Sequence, residues 1–266
     1  MRELALKKFW EERDAKFGEL GGAQCVESFA DAESEYKAIR NSAGLCDFSF
    51  MRIVEFPESD GIDYLDTALA ANILKLRYGR IIDTFLCDEN GKITAEVFVA
   101  NIDDKVFAFT ESLTDSAEIL GKGGNAKDAT KDYAIFSVDG PKAWEVARDI
   151  FGSDIFNLPY LAIEKYDFEG DCAYLMRNGK TGEFGYSFVV PSAKADAMAQ
   201  KLCQAVENAG GSLCGTKAHA VARLESGFFN IYKEGALVGD PIALGLQWMA
   251  DFSKDSFSGS EAVYKM

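Results

Sequence analysis

The dipeptide Asn90-Gly91, set between the β-rich runs Ile81–Asp88 and Ile93–Ile102, constrains this chain more than any other local feature. A tight reversal between antiparallel strands needs positive φ, which Asn and Gly adopt readily, so residues 81–102 are predicted to form a β-hairpin. A strand at Val106–Phe109, a helix capped near Ser112 and the loop Gly121–Asn125 should follow. That loop lacks the spacing of a phosphate-binding loop and reads as a linker.

Elements of the same kind flank this region. Leu6, Phe9, Trp10, Arg13 and Phe17 follow helical spacing, so residues 3–18 are expected to form an amphipathic helix. Asp31 is a candidate N-cap for a helix over 33–42, residues 50–56 read as a strand, and Ser59 or Asp60 could cap the helix carrying Ile62, Leu65 and Leu69. Later come a strand at 133–138, a helix from Pro141 to Ile150, strands near 163–168, 171–176 and 185–190, and a helix over 193–208. The order predicts an α+β fold of two similar subdomains packed as a pseudo-repeat, divided as 1–24, 25–128 and 129–266.

Composition removes several classes. With 48% apolar residues the chain is an ordinary globular sequence, and a net charge of −15 with no basic run argues against nucleic acid and anionic membranes as partners. No apolar stretch reaches the ~20 residues of a bilayer span, and Met1–Leu20 has no signal-peptide core. The six cysteines form no C-x-x-C pair, which fits neither a zinc site nor a disulfide scaffold and points to reduced thiols in a cytoplasmic protein.

Five segments, in order, resemble the glycine cleavage T-protein superfamily, the aminomethyltransferases and their folate-dependent relatives. Glu35-Tyr-Lys-Ala-Ile-Arg-Asn-Ser-Ala-Gly-Leu-Cys-Asp47 is similar to the family's E-H-x-A-V-R-x-x-A-G-L/M-F-D, and Ala70-Ala-Asn72 to its L/T-x-N. Val138-Asp-Gly-Pro141 resembles V-Q-G-P, Gly179-Lys-Thr-Gly-Glu-Phe-Gly-Tyr186 resembles G-Y-T-G-E-x-G-F/Y, and Arg223-Leu-Glu-Ser-Gly227 resembles R-L-E-A-G. The resemblance implies two α+β domains forming a disc with a central hole where tetrahydrofolate and a one-carbon donor meet. It also implies that family members continue into a third, β-rich domain covering the folate cleft. A partner subunit or a homo-oligomer is therefore expected to replace that cover, with Ile242–Phe252 as part of the contact surface.

By resemblance Glu183 is the pterin-binding carboxylate, with Arg223, Tyr186 and Asn72 as further cofactor-binding residues. The chemistry suits Glu183, because a carboxylate accepts the two parallel N–H bonds that a pterin edge offers. Taken alone, the residue would read as a solvated hairpin-tip acid; the G-x-T-G-E-x-G frame that resembles the family's motif decides otherwise. Arg223 and Glu225 should lie on a helix beginning near Thr216, either at the cleft or as an ion pair, while His219 reads as a surface bystander.

An ungapped alignment from Gly79 puts the family's D-D pair on Ala95 and Glu96, so its first, catalytic Asp is replaced by Ala95. Neighbouring strand residues point to opposite faces, so Glu96 could not simply take over. Asp83 is then the candidate catalytic carboxylate, its alternative being a solvent-facing strand residue. The family's D-V-S-H appears as Asp47-Phe-Ser-Phe50, which removes an imidazole. Aminomethyl transfer needs charge stabilisation and proton handling, whereas methyl transfer mainly needs positioning. The chain is therefore expected to be a tetrahydrofolate-dependent methyltransferase or demethylase acting on a small methylated substrate, without a metal. The alternative is a non-catalytic folate-binding assembly or regulatory protein; a true aminomethyltransferase is disfavoured by Ala95.

Overall fold

The computed structural model describes residues 1–266, apart from the side chain at position 117. In chain order the main elements are α1 (Lys7–Glu11), β1 (Lys16–Leu20), β2 (Ala23–Ser28), α2 (Ala32–Asn41), β3 (Gly44–Asp47), β4 (Arg52–Pro57), α3 (Glu58–Ala68), β5 (Ile81–Cys87), β6 (Ile93–Ile102), β7 (Lys105–Ser112), α4 (Ser116–Leu120) and β8 (Lys127–Asp128). They continue with β9 (Tyr133–Asp139), α5 (Ala143–Phe151), β10 (Ala162–Phe168), β11 (Asp171–Arg177), β12 (Gly185–Pro191), α6 (Ala195–Asn208), β13 (Ser212–Leu213), α7 (Thr216–Glu225) and α8 (Ser260–Val263). The α+β class is as expected. Among the described residues no helix is long and apolar enough to cross a membrane.

Two compact units form, each discontinuous in sequence: residues 1–50 with 131–228, and residues 51–130 with 229–266. This differs from a division at residues 24 and 128. The reason lies in strand pairing, because β3 joins β9 in one sheet although 85 residues lie between Asp47 and Tyr133. The first unit holds the six-stranded sheet β10-β11-β12-β9-β3-β13 and the ribbon β1-β2. Its core sets Phe136, Val138, Leu175 and Phe188 of the sheet against Val146 of α5 and Met198 and Leu202 of α6. The second unit holds the sheet β5-β6-β7-β4-β8. One face packs Leu86, Val97 and Val99 against Leu65 of α3, and Phe85 packs with Phe229, Ile231 and Met249 of the returning segment.

The N-terminal helix expected over 3–18 is only α1. Asp14 adopts φ 61°, which ends the helical run, and the chain turns into β1, paired with β2. The apolar spacing is used all the same. Leu4, Leu6, Phe9 and Trp10 enter the first core, and Trp10 Nε1 donates to buried Asp47 Oδ2 at 2.5 Å. Burial, the leading cause, pushes the Asp47 carboxyl above its ordinary range, against hydrogen bonds from Ser49 and Trp10.

At the Asn90-Gly91 hairpin Asp88 and Lys92 close the turn, Gly91 N donates to Asp88 O at 3.0 Å, and only Gly91 takes positive φ. Asp31 caps α2 as expected, its Oδ1 accepting from Ser34 N at 2.9 Å. Two helix starts differ. Pro57, with its fixed φ, precedes α3 rather than Ser59 or Asp60, and Ser112 ends β7 while α4 begins at Ser116.

Candidate functional site

In the first unit, the site is built on the turn between β11 and β12. Gly179 and Gly185 meet backbone to backbone, with Gly179 N donating to Gly185 O at 3.2 Å. A Cβ on Gly185 would stand 2.3 Å from Gly179 Cα and 2.5 Å from Asp139 Oδ1, so only glycine closes this neck. Above it the chain turns at Gly182, with φ 81°, and presents Glu183. Glu183 lines a cleft of about 280 Å³ together with Pro141, Tyr160, Arg177 and Phe184. The Arg177 guanidinium lies 5.3 Å from the Phe184 ring centroid, which gives the cleft a flat wall beside a carboxylate.

Arg40, from the last turn of α2, organises the carboxylates and carbonyls around this turn. Its Nη1 lies 3.3 Å from Glu183 Oε1 and donates to Thr181 O, while Nη2 donates to Ala222 O at 3.0 Å and to Glu225 Oε2 at 2.6 Å. Tyr36 Oη donates to the same Glu225 oxygen at 2.6 Å. Those bonds, Tyr36 first and then Arg40, hold the Glu225 carboxyl below its ordinary range. The basic partner of Glu225 is thus Arg40 rather than Arg223. Arg223 is buried within α7, and Tyr186 is buried in the core of the first unit. Burial raises the Tyr186 phenol above its usual range, opposed by Arg177.

The histidine expected on the surface is buried. His219 Nε2 lies 3.5 Å from Asp139 Oδ2, and its ring meets Phe48 edge to face at 4.9 Å. Asp139, wholly buried, also accepts from Ser137 Oγ at 2.6 Å and from Thr181 Oγ1 at 3.2 Å. The helical position of His219 gave no sign of this, because α7 packs that face against the first unit.

In the second unit, pairing register decides what Asp83, Ala95 and Glu96 face. Asp83 lies opposite Phe98, Phe85 opposite Glu96, and Leu86 opposite Ala95. Directly opposed residues share a face and neighbours alternate, so Asp83 and Glu96 lie on one face of the sheet and Ala95 on the other. Ala95 packs into the apolar core beside Leu86 and Val97. An acid at 95 would be sunk in that core. Asp83 is buried, at 8% exposure, not solvent-facing as its alternative reading had it. Asn72 precedes the 3-10 turn Ile73–Lys75, and its Oδ1 is buried without a hydrogen-bond partner among the described residues. Asp83 and Asn72 thus belong to the second unit, and Glu183, Tyr186 and Arg223 to the first.

Arg40, Thr181 and Asp139 were not expected at the site, although all three lie inside the motifs quoted above. Among the described residues no group of His, Cys, Asp and Glu could hold a metal ion.

A family model described as the GCVT N-terminal domain matches residues 6–254. An aminomethyltransferase of Caldanaerobacter subterraneus subsp. tengcongensis is 24% identical over 274 residues, covering 100% of this chain and 73% of that protein. One from Saccharopolyspora erythraea is 25% identical over 234 residues, covering 85% of this chain and 64% of its own length. The crystal structure of the glycine cleavage system aminomethyltransferase T from Bartonella henselae superposes with a TM-score of 0.82 at 21% identity, over 99% of this chain and 74% of that one. That match establishes a common fold.

Proposed function

Because the chain belongs to the GCVT N-terminal domain family, we propose that it moves a one-carbon group between a small donor and tetrahydrofolate, with Glu183 anchoring the pterin. Aminomethyltransferases of this family use tetrahydrofolate. The observation that carries the assignment to this chain is the Glu183 turn, where a carboxylate is fixed by Arg40 at the mouth of a cleft with an aromatic wall.

The residues fit such a group. The Gly179–Gly185 neck leaves the backbone bare at the turn, beside a carboxylate and an aromatic wall. When bound, tetrahydrofolate supplies the nitrogen that exchanges the one-carbon unit. Glu183 would accept the paired N–H groups of the pterin edge, with Arg40 holding the carboxylate in place. Phe184 and Arg177 would line one side of a flat ring. Tyr186 and Arg223, both buried, act from beneath the cleft by setting the strand and helix that carry it.

The donor in this reading is a small methylated compound, and Asp83 is the candidate catalytic carboxylate. The strand register favours a second reading. Asp83 and Glu96 share a face, so Ala95 does not empty that face of carboxylates and aminomethyl transfer keeps its chemical basis. Incubation with tetrahydrofolate and a panel of sulfonium, quaternary amine, methyl ether and aminomethyl donors, with mass detection, separates the readings. 5-Methyltetrahydrofolate supports the methyl donor and a methylene product the aminomethyl donor. Binding without turnover of any donor would leave a folate-binding protein.

The reading places the protein in the cytoplasm and gives it a partner, either another subunit or a second copy. The partner is supported by Leu237, Trp248 and Phe252, exposed on the second unit, whereas Leu246 and Met249 of the expected surface Ile242–Phe252 are buried.

A further inference from the structure

We infer that Asp139 is a positioning residue for Glu183, acting through Thr181, with His219 and Ser137 completing the shell of its other oxygen. Asp139 is wholly buried, and a carboxylate removed from water persists in a fold only where surrounding groups replace its hydration. Those groups divide between its two oxygens. Oδ2 accepts from Ser137 Oγ at 2.6 Å, with His219 Nε2 at 3.5 Å. Oδ1 accepts from Thr181 Oγ1 at 3.2 Å and stands where a Cβ on Gly185 would collide with it.

The first oxygen therefore ties Asp139 to its own strand and to α7, and the second ties it to the turn. Thr181 is two residues before Glu183, and its carbonyl accepts from Arg40 Nη1 and from Ser226 Oγ at 2.6 Å. Its hydroxyl is thus the turn's link downward to Asp139, and its carbonyl the link sideways to the guanidinium that meets Glu183. Breaking the downward link alone should free the turn while leaving the core of the unit intact.

Thr181→Val removes that hydroxyl at nearly constant volume, and Thr181→Ser restores it. Hydrogen exchange on the ligand-free protein should show the amides of Gly140 and Gly179, which donate to Phe184 O and Gly185 O of the turn, exchanging about tenfold faster in Thr181→Val, the scale of one buried hydrogen bond, with wild-type rates in strands β9 and β12 away from the turn and recovery in Thr181→Ser. Asp139→Asn, which weakens the acceptor, should loosen the same amides; if it fails to fold, the Thr181 pair still decides. Titration with tetrahydrofolate should show Kd rising by about tenfold in Thr181→Val and returning in Thr181→Ser. The affinity arm rests on Glu183 as pterin anchor and the exchange arm does not. Absence of wild-type tetrahydrofolate binding would defeat the proposed function yet leave the exchange result to decide the role of Asp139. Unchanged turn exchange in Thr181→Val, or loosening spread evenly through the unit, would overturn the inference.

Discussion

At the scale of single residues, carboxylates govern the site, and Arg40 meets two of them, Glu183 and Glu225. Glu183→Gln keeps the shape but removes the doubly accepting group and its ion pair with Arg40. Tetrahydrofolate binding should weaken by about 1.5–3 kcal/mol, the scale of a charge-assisted bond, as read by titration calorimetry on a protein with unaltered circular dichroism. Wild-type affinity would remove Glu183 from the site. Glu225 makes a separate prediction about pH. Its folded pKa lies below the ordinary glutamate value of 4.5 because Tyr36 and Arg40 bond the carboxylate. The carboxylate therefore contributes stability above the unfolded pKa, and that contribution is lost as pH falls through the folded pKa. Denaturant unfolding should find Glu225→Gln less stable than wild type at neutral pH, with the gap closing below about pH 4.5. A gap that stays constant with pH would show that the Arg40 network gains nothing from that charge.

At the scale of elements, the ends of helices and the faces of strands decide what the site can present. The C-terminal end of α3 is closed by a side chain from far along the sequence. Lys254 Nζ donates to the carbonyls of Asp66, Leu69 at 2.9 Å and Ala71 at 2.9 Å, and lies 3.2 Å from Asp66 Oδ1. Burial pushes its ammonium below the ordinary lysine range, and Asp66 opposes that shift. Lys254→Met should leave these carbonyls without their donor and destabilise the protein by about 3 kcal/mol, measured by urea unfolding. A loss under about 0.5 kcal/mol would mean that water replaces the lysine without penalty.

At the scale of the whole molecule, the second unit carries large apolar side chains in solvent. Leu237 is 87% exposed and Trp248 62%. In the proposed function these belong to the contact with another subunit or a second copy. Light scattering on the purified chain and co-purification from its native cell should find a dimer or a complex, and Trp248→Glu should shift the equilibrium toward the monomer. A monomeric wild type with full transfer activity and no bound partner would end that reading.

What the sequence determined by itself is what local forces determine. The Asn90-Gly91 turn, the Asp31 cap, the amphipathic helices and the glycine frame around Glu183 depend on φ preferences and spacing within a few residues, and all are legible without a partner in view. The motif order carried the family for the same reason. The helix expected over 3–18 shows the limit of spacing, since a β-ribbon and a short helix satisfied the same apolar pattern once β2 was available to pair with β1. The remaining features depend on groups brought together across long stretches of chain. Arg40 meets Thr181 141 residues away, and His219 is buried against Asp139. The pairing of β5 with β6 sends Ala95 into the core and sets Glu96 on the same face as Asp83. Strand parity fixes only that neighbours face apart; which face is apolar core follows from what packs upon it, and that packing is a property of the closed fold.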